Sequence, residues 1–290
     1  MGIKLRFLIL GGNGYIGSKV VHSLITDGHE IVCTRRAHSN LKRLKDIEDK
    51  IVWVESSVDV LDSMFPAGEF DFVLNMACNY GRGSVDYDAI IEANMEFPLG
   101  ILNWSVERGI KNFLTLGTGL PAEFNMYTFT KKMYENFGKF YAEKRQINFM
   151  CLKLEMFYGA DEPKDRFLPS VIQRMLKGEE VYTTEGRQKR DIISVNNVVE
   201  AILIAIKSNL HGYAEIPVGT GECPSVEEII DFIWEETGKQ SAVHKGAIPM
   251  RPDEPDSVAD VTAIRQLGEW NPIDWKSGIK LMIQEMKGIE

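Results

Sequence analysis

The sequence predicts an α/β fold: a doubly wound parallel sheet with helices on both faces, followed by a smaller mixed α/β lobe. Two observations predict it. Apolar runs alternate with helical patterns through the first 160 residues, and a glycine-rich turn joins the first run to the first helix. Strands that alternate with helices form parallel sheets, because each helix must cross a face of the sheet. We expect one domain at 1–160, with some later segments returning to it, and a substrate-binding lobe mainly at 161–290.

The strands and helices of this fold can be assigned in order along the chain. Apolar runs predict strands at 5–10, 30–34, 51–55, 70–77, 112–118 and 148–158. Helical periodicity between several of them predicts helices at 15–26, 88–108 and 127–145. Beyond residue 160 the pattern loosens, with helical runs at 167–177 and 195–208. Ser225 and Glu228 have capping-box spacing, which predicts a further helix through Ile233.

Composition excludes several classes of protein. The formal charge is −9, so general affinity for nucleic acid is not expected. The four cysteines form no CxxC pair and the five histidines are scattered, so we expect reduced thiols and no metal. No apolar segment approaches the roughly 20 residues that cross a bilayer, and the N-terminus leads directly into the first strand, without a signal peptide. A cytoplasmic protein with no membrane partner is therefore predicted.

The segment from residue 7 to residue 17 predicts a strand, a tight turn and a helix start. Its pattern is Gly-x-x-Gly-x-x-Gly, at Gly11, Gly14 and Gly17. Backbone N–H groups and the positive helix end then point at one spot, which suits a pyrophosphate. An ordinary strand-to-helix turn also needs glycine, but this position favours a Rossmann-type dinucleotide site. We expect Asn13, Tyr15 and Ile16 to contact the cofactor together with the three glycines.

The end of the second strand predicts the cofactor. Arg35 and Arg36 follow that strand, and Arg35 lies 24 residues after Gly11. A dinucleotide fold places here the side chain that meets the adenosine ribose, and an acidic residue would favour NAD. Two guanidinium groups instead match a 2′-phosphate, so NADP(H) is predicted and NAD is less favoured. The alternative is a pair of solvated surface arginines beside the other cations of this segment, Lys42, Arg43 and Lys45.

Tyr127 and Lys131 form a Tyr-x-x-x-Lys pair that predicts proton transfer. Four residues of helix place both side chains on one face, and a nearby ammonium makes a tyrosine phenol more acidic. Tyr15 and Lys19 have the same spacing, but they lie on the phosphate-binding turn. The end of the fifth strand offers two hydroxyl groups as the third partner, Thr115 and Thr118. Thr118 is the favoured one, and its alternative role is that of a strand-end cap.

These motifs together resemble the extended short-chain dehydrogenase/reductase family, the NAD-dependent epimerase/dehydratase family, almost from end to end. Further resemblances are Leu74-Asn75-Met76-Ala77, Asn94, Phe157-Tyr158-Gly159, the segment 186–195, Val218-Gly-Thr-Gly221 and Arg251-Pro252. The resemblance implies cofactor contacts at Asp59, Val60, Met76, Ala77 and Asn94, although Asp59 could equally be a turn aspartate. It implies substrate contacts at Tyr80, Glu155, Arg190 and Arg251, where either arginine could instead serve a structural ion pair.

Within that family, the chain is most similar to reductases of the CDP-abequose and CDP-paratose synthase type, through the segments 77–81, 154–155 and 245–253. This implies NADPH-dependent reduction of a nucleotide-linked 4-keto-deoxysugar. The alternatives are a 4-epimerase that keeps NAD, and a regulator that senses NADP without catalysis.

The chain departs from the family pattern at three places. Thr118-Gly-Leu replaces the Thr-Asp-Glu of dehydratases, which excludes 4,6-dehydration. The loop from Thr118 to Tyr127 is short, and Met156 stands where relatives often carry asparagine. The first departure limits the type of reaction, and the other two leave the identity of the sugar undetermined.

The helices at 88–108 and 127–145 resemble the pair that forms a dimeric four-helix bundle in the family, which implies a homodimer. Phe137, Phe140 and Tyr141 could lie at that interface or belong to the core.

Overall fold

The computed structural model describes residues 3–81, 86–251 and 254–289. Pro252 and Asp253 of the predicted substrate segment therefore lie outside the described residues. The chain divides into two compact units: residues 1–153 with 202–216, and residues 154–201 with 217–290.

A seven-stranded sheet carries the dinucleotide-type half of the fold, in the order β10–β6–β5–β4–β1–β2–β3. Its strands are β1 (Arg6–Leu10), β2 (Glu30–Arg35), β3 (Ile51–Glu55), β4 (Phe72–Asn75), β5 (Asn112–Thr118), β6 (Asn148–Leu154) and β10 (Tyr213–Val218). The helices between them are α1 (Tyr15–Thr26), α2 (Val58–Met64), α3 (Tyr87–Ile91), α4 (Phe97–Glu107) and α5 (Met126–Glu143). The predicted α/β class with a parallel sheet is confirmed.

The strands of this sheet run parallel. Leu8 of β1 lies opposite Val32 of β2 and Val73 of β4, both in parallel register. Backbone bonds from Phe149 to Gly212 and from Glu155 to Val218 show β10 running parallel to β6. The carboxyl ends therefore share one edge, and the chain reverses its direction across the sheet between β1 and β4. In open α/β sheets, ligands bind outside the carboxyl ends at such a switch point.

Several predicted boundaries differ from those observed. The 148–158 run is two strands, because β6 joins the large sheet whereas β7 (Met156–Tyr158) pairs with β9 (Ile192–Ser194). The predicted 88–108 helix is α3, a π-helical turn at Glu92–Glu96, and α4. Arg35 ends β2 rather than following it. Strand β10 was not predicted, because Glu215 and Pro217 interrupt residues 213–218 and clear alternation is lacking.

Close packing brings α5 against the sheet. Phe113, Phe149 and Tyr134 are buried together, with the two phenylalanine rings stacked at 5.5 Å. A Cβ atom on Gly138 would lie 2.2 Å from the Phe149 ring, so only glycine permits this approach. The position of α5 matters because Tyr127 and Lys131 belong to it.

The second unit has its own core. Its elements include α6 (Phe167–Leu176), α8 (Val226–Glu236), α9 (Thr262–Leu267) and α10 (Trp275–Ile289), with β8 (Val181–Tyr182) paired in parallel to β11 (Val243–His244). Helix α7 (Val195–Lys207) runs from the second unit into the first. The Ser225–Glu228 capping box is confirmed in both directions at the start of α8. Among the described helices, none combines the length and the apolar character needed to span a membrane.

Candidate active site

The glycine turn lies at the carboxyl end of β1, at the switch point of the sheet. Gly11 has φ of +74°, and a Cβ there would lie 2.7 Å from the backbone nitrogen of Ala77. A Cβ on Gly17 would lie 2.2 Å from the carbonyl oxygen of Gly11. The first glycine therefore provides the turn and a close approach to the segment after β4, and the third lets α1 pack beneath the turn.

Gly14 leaves the start of α1 open to a ligand. It is the N-cap of α1, it is exposed, and no side chain caps the helix. The first amides of a helix have no acceptor within it, and these follow Gly14 at Tyr15, Ile16 and Gly17. The open end and the helix dipole together suit a pyrophosphate.

The carboxyl end of β2 carries the two arginines beside this turn. Arg35 is exposed, with its guanidinium carbon 5.7 Å from the centre of the Trp53 ring. Arg36 is exposed and its backbone closes a turn with Ser39. Asn13 of the glycine turn donates to the carbonyl oxygen of Asn40, 3.2 Å away, so the segment after β2 is tied to the turn.

Asp59 and Val60 lie in the first turn of α2, directly after β3. Asp59 is exposed, and the amide of Val60 donates to Ser57, which caps the helix. Sequence analysis left Asp59 open between a cofactor contact and a turn residue, and the structure places it in a helix start.

The segment after β4 faces the glycine turn from the other side. The amide of Met76 donates to Leu10 O, 2.9 Å away, so this segment continues beside β1. Asn75 donates to Thr115, 3.1 Å away, which gives Thr115 a structural partner inside the sheet. Ala77 lies beside Gly11, in reach of the same ligand position.

Asn94 holds this segment from the π-helical turn. Its side chain accepts from the amide of Asn79 and donates to the carbonyl of Asn79, both at 2.8 Å, and it also donates to Thr130 of α5. Asn94 is fully buried. Asn94 therefore holds the backbone of the segment after β4 through its side-chain amide. π-Helical turns recur at functional sites.

Helix α5 begins at a reciprocal capping box formed by Asn125 and Thr128. This fixes Tyr127 in the first helical turn, with its ring centre 4.9 Å from that of Tyr80. One turn later, Lys131 is 4% exposed and its Nζ lies 3.5 Å from Ala77 O. Burial lowers the pKa of the Lys131 ammonium. Both members of the predicted pair thus reach the segment after β4.

Thr118 is the last residue of β5, at the same sheet edge, and is 5% exposed. Its Oγ1 accepts from the amide of Leu120 at 3.2 Å. The strand-end cap that sequence analysis considered is therefore present. A hydroxyl that accepts one bond keeps its proton to donate, so the cap and a bond to a substrate oxygen are compatible.

The second Tyr-x-x-x-Lys pair lies elsewhere. Tyr15 and Lys19 belong to α1, with the Lys19 ammonium 5.5 Å from the Tyr15 ring and the Arg43 guanidinium at the same distance. These contacts pack the surface of α1 beside the segment after β2.

Sequence analysis missed a buried charge network that joins α5 to β6 and β10. Glu135 is 6% exposed, accepts from the hydroxyl of Tyr213 and pairs with Lys153 at 3.3 Å. Burial opposes the charge of Lys153, but the carboxylates of Glu215 and Glu135 outweigh it and raise the pKa of Lys153. Glu135 lies four residues after Lys131, and this helical spacing was the available signal.

In the second unit, Arg190 has protein partners. It is 8% exposed, pairs with Glu254 at 2.5 Å, and donates to the carbonyl oxygens of Lys189 and Pro255. The structural ion pair considered in sequence analysis is thus present. Arg251 is exposed.

Next to Arg190, Asp191 is fully buried and accepts from the amides of Thr220, Gly221 and Ala259. Glu155 is buried and accepts from the hydroxyl of Ser257. These bonds join the predicted motifs at 186–195 and 218–221 to the segment 254–259 within one unit.

Taken together, the described residues of the first unit provide an open helix start at the glycine turn and two exposed cations. They also provide a buried ammonium and a phenol that both reach the segment after β4, and a hydroxyl at the end of β5. Such a set can bind a phosphorylated dinucleotide and exchange one proton with a carbonyl or alcohol.

Comparison with known proteins gives a consistent result. The NAD dependent epimerase/dehydratase family matches residues 7–218. The chain is 25% identical to the CDP-abequose synthase of Salmonella muenchen, over 98% of both chains. It is 27% identical to a putative UDP-glucose 4-epimerase of Methanocaldococcus jannaschii, over 97% of this chain and 98% of that one. The structure of a Thermotoga maritima UDP-glucose 4-epimerase with UDP-glucose superposes with a TM-score of 0.86 at 22% identity, over 99% of this chain and 100% of that one.

Proposed function

The chain belongs to the NAD dependent epimerase/dehydratase family, and we propose that it is an NADPH-dependent reductase of a nucleotide-linked 4-keto-deoxysugar. The observation that carries this proposal is the exposed Arg35–Arg36 pair at the carboxyl end of β2, beside the glycine turn. It supports a cofactor with a 2′-phosphate. Similarity to the CDP-abequose synthase of Salmonella muenchen supports the sugar class.

The arginines favour reduction over epimerisation because the two reactions use cofactor differently. An epimerase returns hydride to the sugar that it oxidised, so it needs no supply of reductant. A reductase consumes one cofactor in each turnover and depends on the form that the cell keeps reduced. Guanidinium groups bind a phosphate through charge-assisted, often bidentate hydrogen bonds, and an acidic side chain at this position would repel it.

In the proposed reaction, the bound cofactor supplies the hydride to carbon 4 of the sugar. Thr118 donates a hydrogen bond to the carbonyl oxygen and polarises it. As the oxygen becomes negative, Tyr127 transfers its phenol proton to it, which leaves an alcohol and a phenolate. Lys131 stabilises that phenolate and hydrogen-bonds the ribose of the cofactor.

For the substrate, we propose that Arg190 and Arg251 bind the diphosphate, and that Glu155 and Tyr80 contact the remainder. A protein with a net charge of −9 needs local cations to bind a dianion. Arg190 would then have to exchange its bond to Glu254, or hold the phosphate with the donors that Glu254 leaves unused.

A 4-epimerase is the second candidate, because two of the similar proteins are named as UDP-glucose 4-epimerases. A 4-epimerase would carry the same motifs as the proposed reductase. It would retain NAD and interconvert a nucleotide-sugar without added cofactor.

The cofactor test separates the two candidates. Titration with NADPH and NADH should show preference for NADPH, and 4-keto nucleotide-sugars should then cause loss of NADPH absorbance. Arg35→Glu with Arg36→Glu should weaken NADPH binding more than about 100-fold, since each charged hydrogen bond contributes about 1.5–3 kcal/mol and about 1.4 kcal/mol is tenfold.

The control is Lys111→Glu, which reverses one charge at an exposed position just before β5, at the opposite edge of the sheet, and is compared with each single arginine reversal. It should leave NADPH binding unchanged. Tight NADH binding in the unmodified protein, or epimerisation without added cofactor, would reverse the choice in favour of the epimerase.

We also propose that the protein is a homodimer through α5 and the helical segment 87–107. Phe129, Met133, Phe137 and Phe140 are exposed at helical spacing along α5, and an apolar stripe of this length is typical of an interface. Tyr141 is not part of the stripe, because it donates to Asn103 of α4 at 2.6 Å.

A further inference from the structure

The segment from Ala77 to Gly81 places an aromatic side chain on the proposed catalytic tyrosine. The Tyr80 and Tyr127 ring centres are 4.9 Å apart and the rings are inclined by 40°. Tyr80 is 39% exposed. Aromatic pairs at this separation attract each other beyond the area they bury.

The backbone on both sides of Tyr80 is fixed. Before it, Asn94 holds the amide and the carbonyl of Asn79 through two 2.8 Å bonds. After it, the amide of Gly81 donates to the Asn79 side chain at 2.9 Å, and Gly81 has φ of +65°. A Cβ on Gly81 would lie 2.5 Å from Ile90. Tyr80 therefore projects from a turn whose backbone is held by hydrogen bonds on both sides.

At Tyr127 the contact acts on the side chain alone, because the backbone is already fixed. Tyr127 lies in the first turn of α5, which begins at the capping box of Asn125 and Thr128. The ring of Tyr80 therefore acts on the remaining rotation of the Tyr127 side chain. A second ring at 4.9 Å restricts the orientations that the phenol can adopt.

We propose that Tyr80 is a positioning residue, whose ring holds the Tyr127 phenol in the orientation needed for proton transfer. This inference rests on the proposed function of Tyr127 and goes beyond the assignment of Tyr80 as a substrate contact. The ring is what acts, and the Tyr80 hydroxyl is dispensable.

The test compares Tyr80→Phe, which keeps the ring, with Tyr80→Ala, which removes it. Tyr87→Ala is the control, because Tyr87 is an exposed tyrosine on α3. In the NADPH oxidation assay, Tyr80→Ala should lower kcat about 3- to 10-fold, the factor that an aromatic pair contributes. NADPH affinity should be unchanged, and Tyr80→Phe should restore kcat, whereas the loss of a substrate contact alone would raise KM and leave kcat unchanged.

A second measurement does not depend on the substrate. The ring resonances of isotopically labelled Tyr127, assigned with Tyr127→Phe, are shifted by the neighbouring ring. They should keep that shift in Tyr80→Phe and lose it in Tyr80→Ala.

The outcomes distinguish this inference from the proposed function. A raised KM with unchanged kcat in Tyr80→Ala would make Tyr80 a substrate contact only and overturn the inference. So would Tyr127 resonances that are the same in both variants. If no 4-keto nucleotide-sugar is reduced, the proposed function fails, whereas the resonances still decide whether Tyr80 orients Tyr127.

Discussion

Replacing Lys131 by methionine should stabilise the free protein while it abolishes turnover. Lys131 is 4% exposed, and its ammonium has one long hydrogen bond, 3.5 Å from Ala77 O. No carboxylate of the described residues lies within salt-bridge distance of it. A buried charge without an ionic partner costs free energy, and burial accordingly lowers the pKa of this ammonium.

The expected gain follows from two opposing contributions. Exchanging buried ionic groups for apolar ones of similar volume is often worth about 1–4 kcal/mol. Leaving Ala77 O without its donor costs about 1 kcal/mol. Lys131→Met should therefore raise the free energy of unfolding near neutral pH by up to about 3 kcal/mol.

The gain should depend on pH in a defined direction. Because the pKa of Lys131 is lower in the folded state, the unfolded chain binds more protons between the two pKa values. The cost of the buried charge is fully present below the folded-state pKa and disappears as pH rises through the ordinary value of 10.5. The advantage of Lys131→Met should thus shrink toward alkaline pH.

Urea unfolding followed by circular dichroism measures this difference, and a constant m-value shows that the same transition is compared. Lys139→Met is the control, since Lys139 is exposed on the same helix, and its effect should stay within about 0.5 kcal/mol. A Lys131→Met protein that unfolds at lower urea concentration than the unmodified one would refute the reasoning.

Further predictions address the proton donor, the turn, the charge network and the assembly. Tyr127→Phe should lower kcat about 100- to 10,000-fold, the range for a lost general acid, with NADPH affinity retained in titration; retained turnover would remove Tyr127 from the mechanism. Gly17→Ala should abolish NADPH binding because its Cβ would lie 2.2 Å from a carbonyl oxygen, whereas Gly288→Ala, which has open space on the helix α10, should bind normally. The pKa of Lys153 is raised in the folded state, so its charge stabilises the fold below the ordinary pKa of 10.5, and this stabilisation is lost as pH rises through the folded-state pKa. The loss of stability at alkaline pH should therefore be steeper than in Lys153→Met. Phe140→Lys should convert a dimer to a monomer in sedimentation experiments, and an unchanged mass would exclude this stripe as the interface.

The parts of the fold that could be predicted are those governed by local rules. The turn from β1 to α1 was readable because strand and helix periods change at the glycines, and the Ser225–Glu228 box because its spacing is itself the structure. Strand β10 was missed because its place at the sheet edge comes from pairing with β6, not from its own weak pattern.

The candidate site was likewise predictable only where local spacing governs it. The spacing of Tyr127 and Lys131 predicts that they share a helix face, but it also produced the pair at 15–19. Position in the chain already favoured the pair at 127–131, and the order of the strands supports that choice because it brings α5 and the segment after β4 to one edge of the sheet.

The sequence alone determined the α/β class, the dinucleotide-type turn and the family, since periodicity and glycine stereochemistry act over a few residues. The tertiary structure decided which side chains have partners. Arg190 meets Glu254, 64 residues away, and Tyr80 meets Tyr127, 47 residues away. Such contacts arise only when strands distant in the chain are ordered in one sheet or loops are joined in one unit, and no local pattern encodes that order.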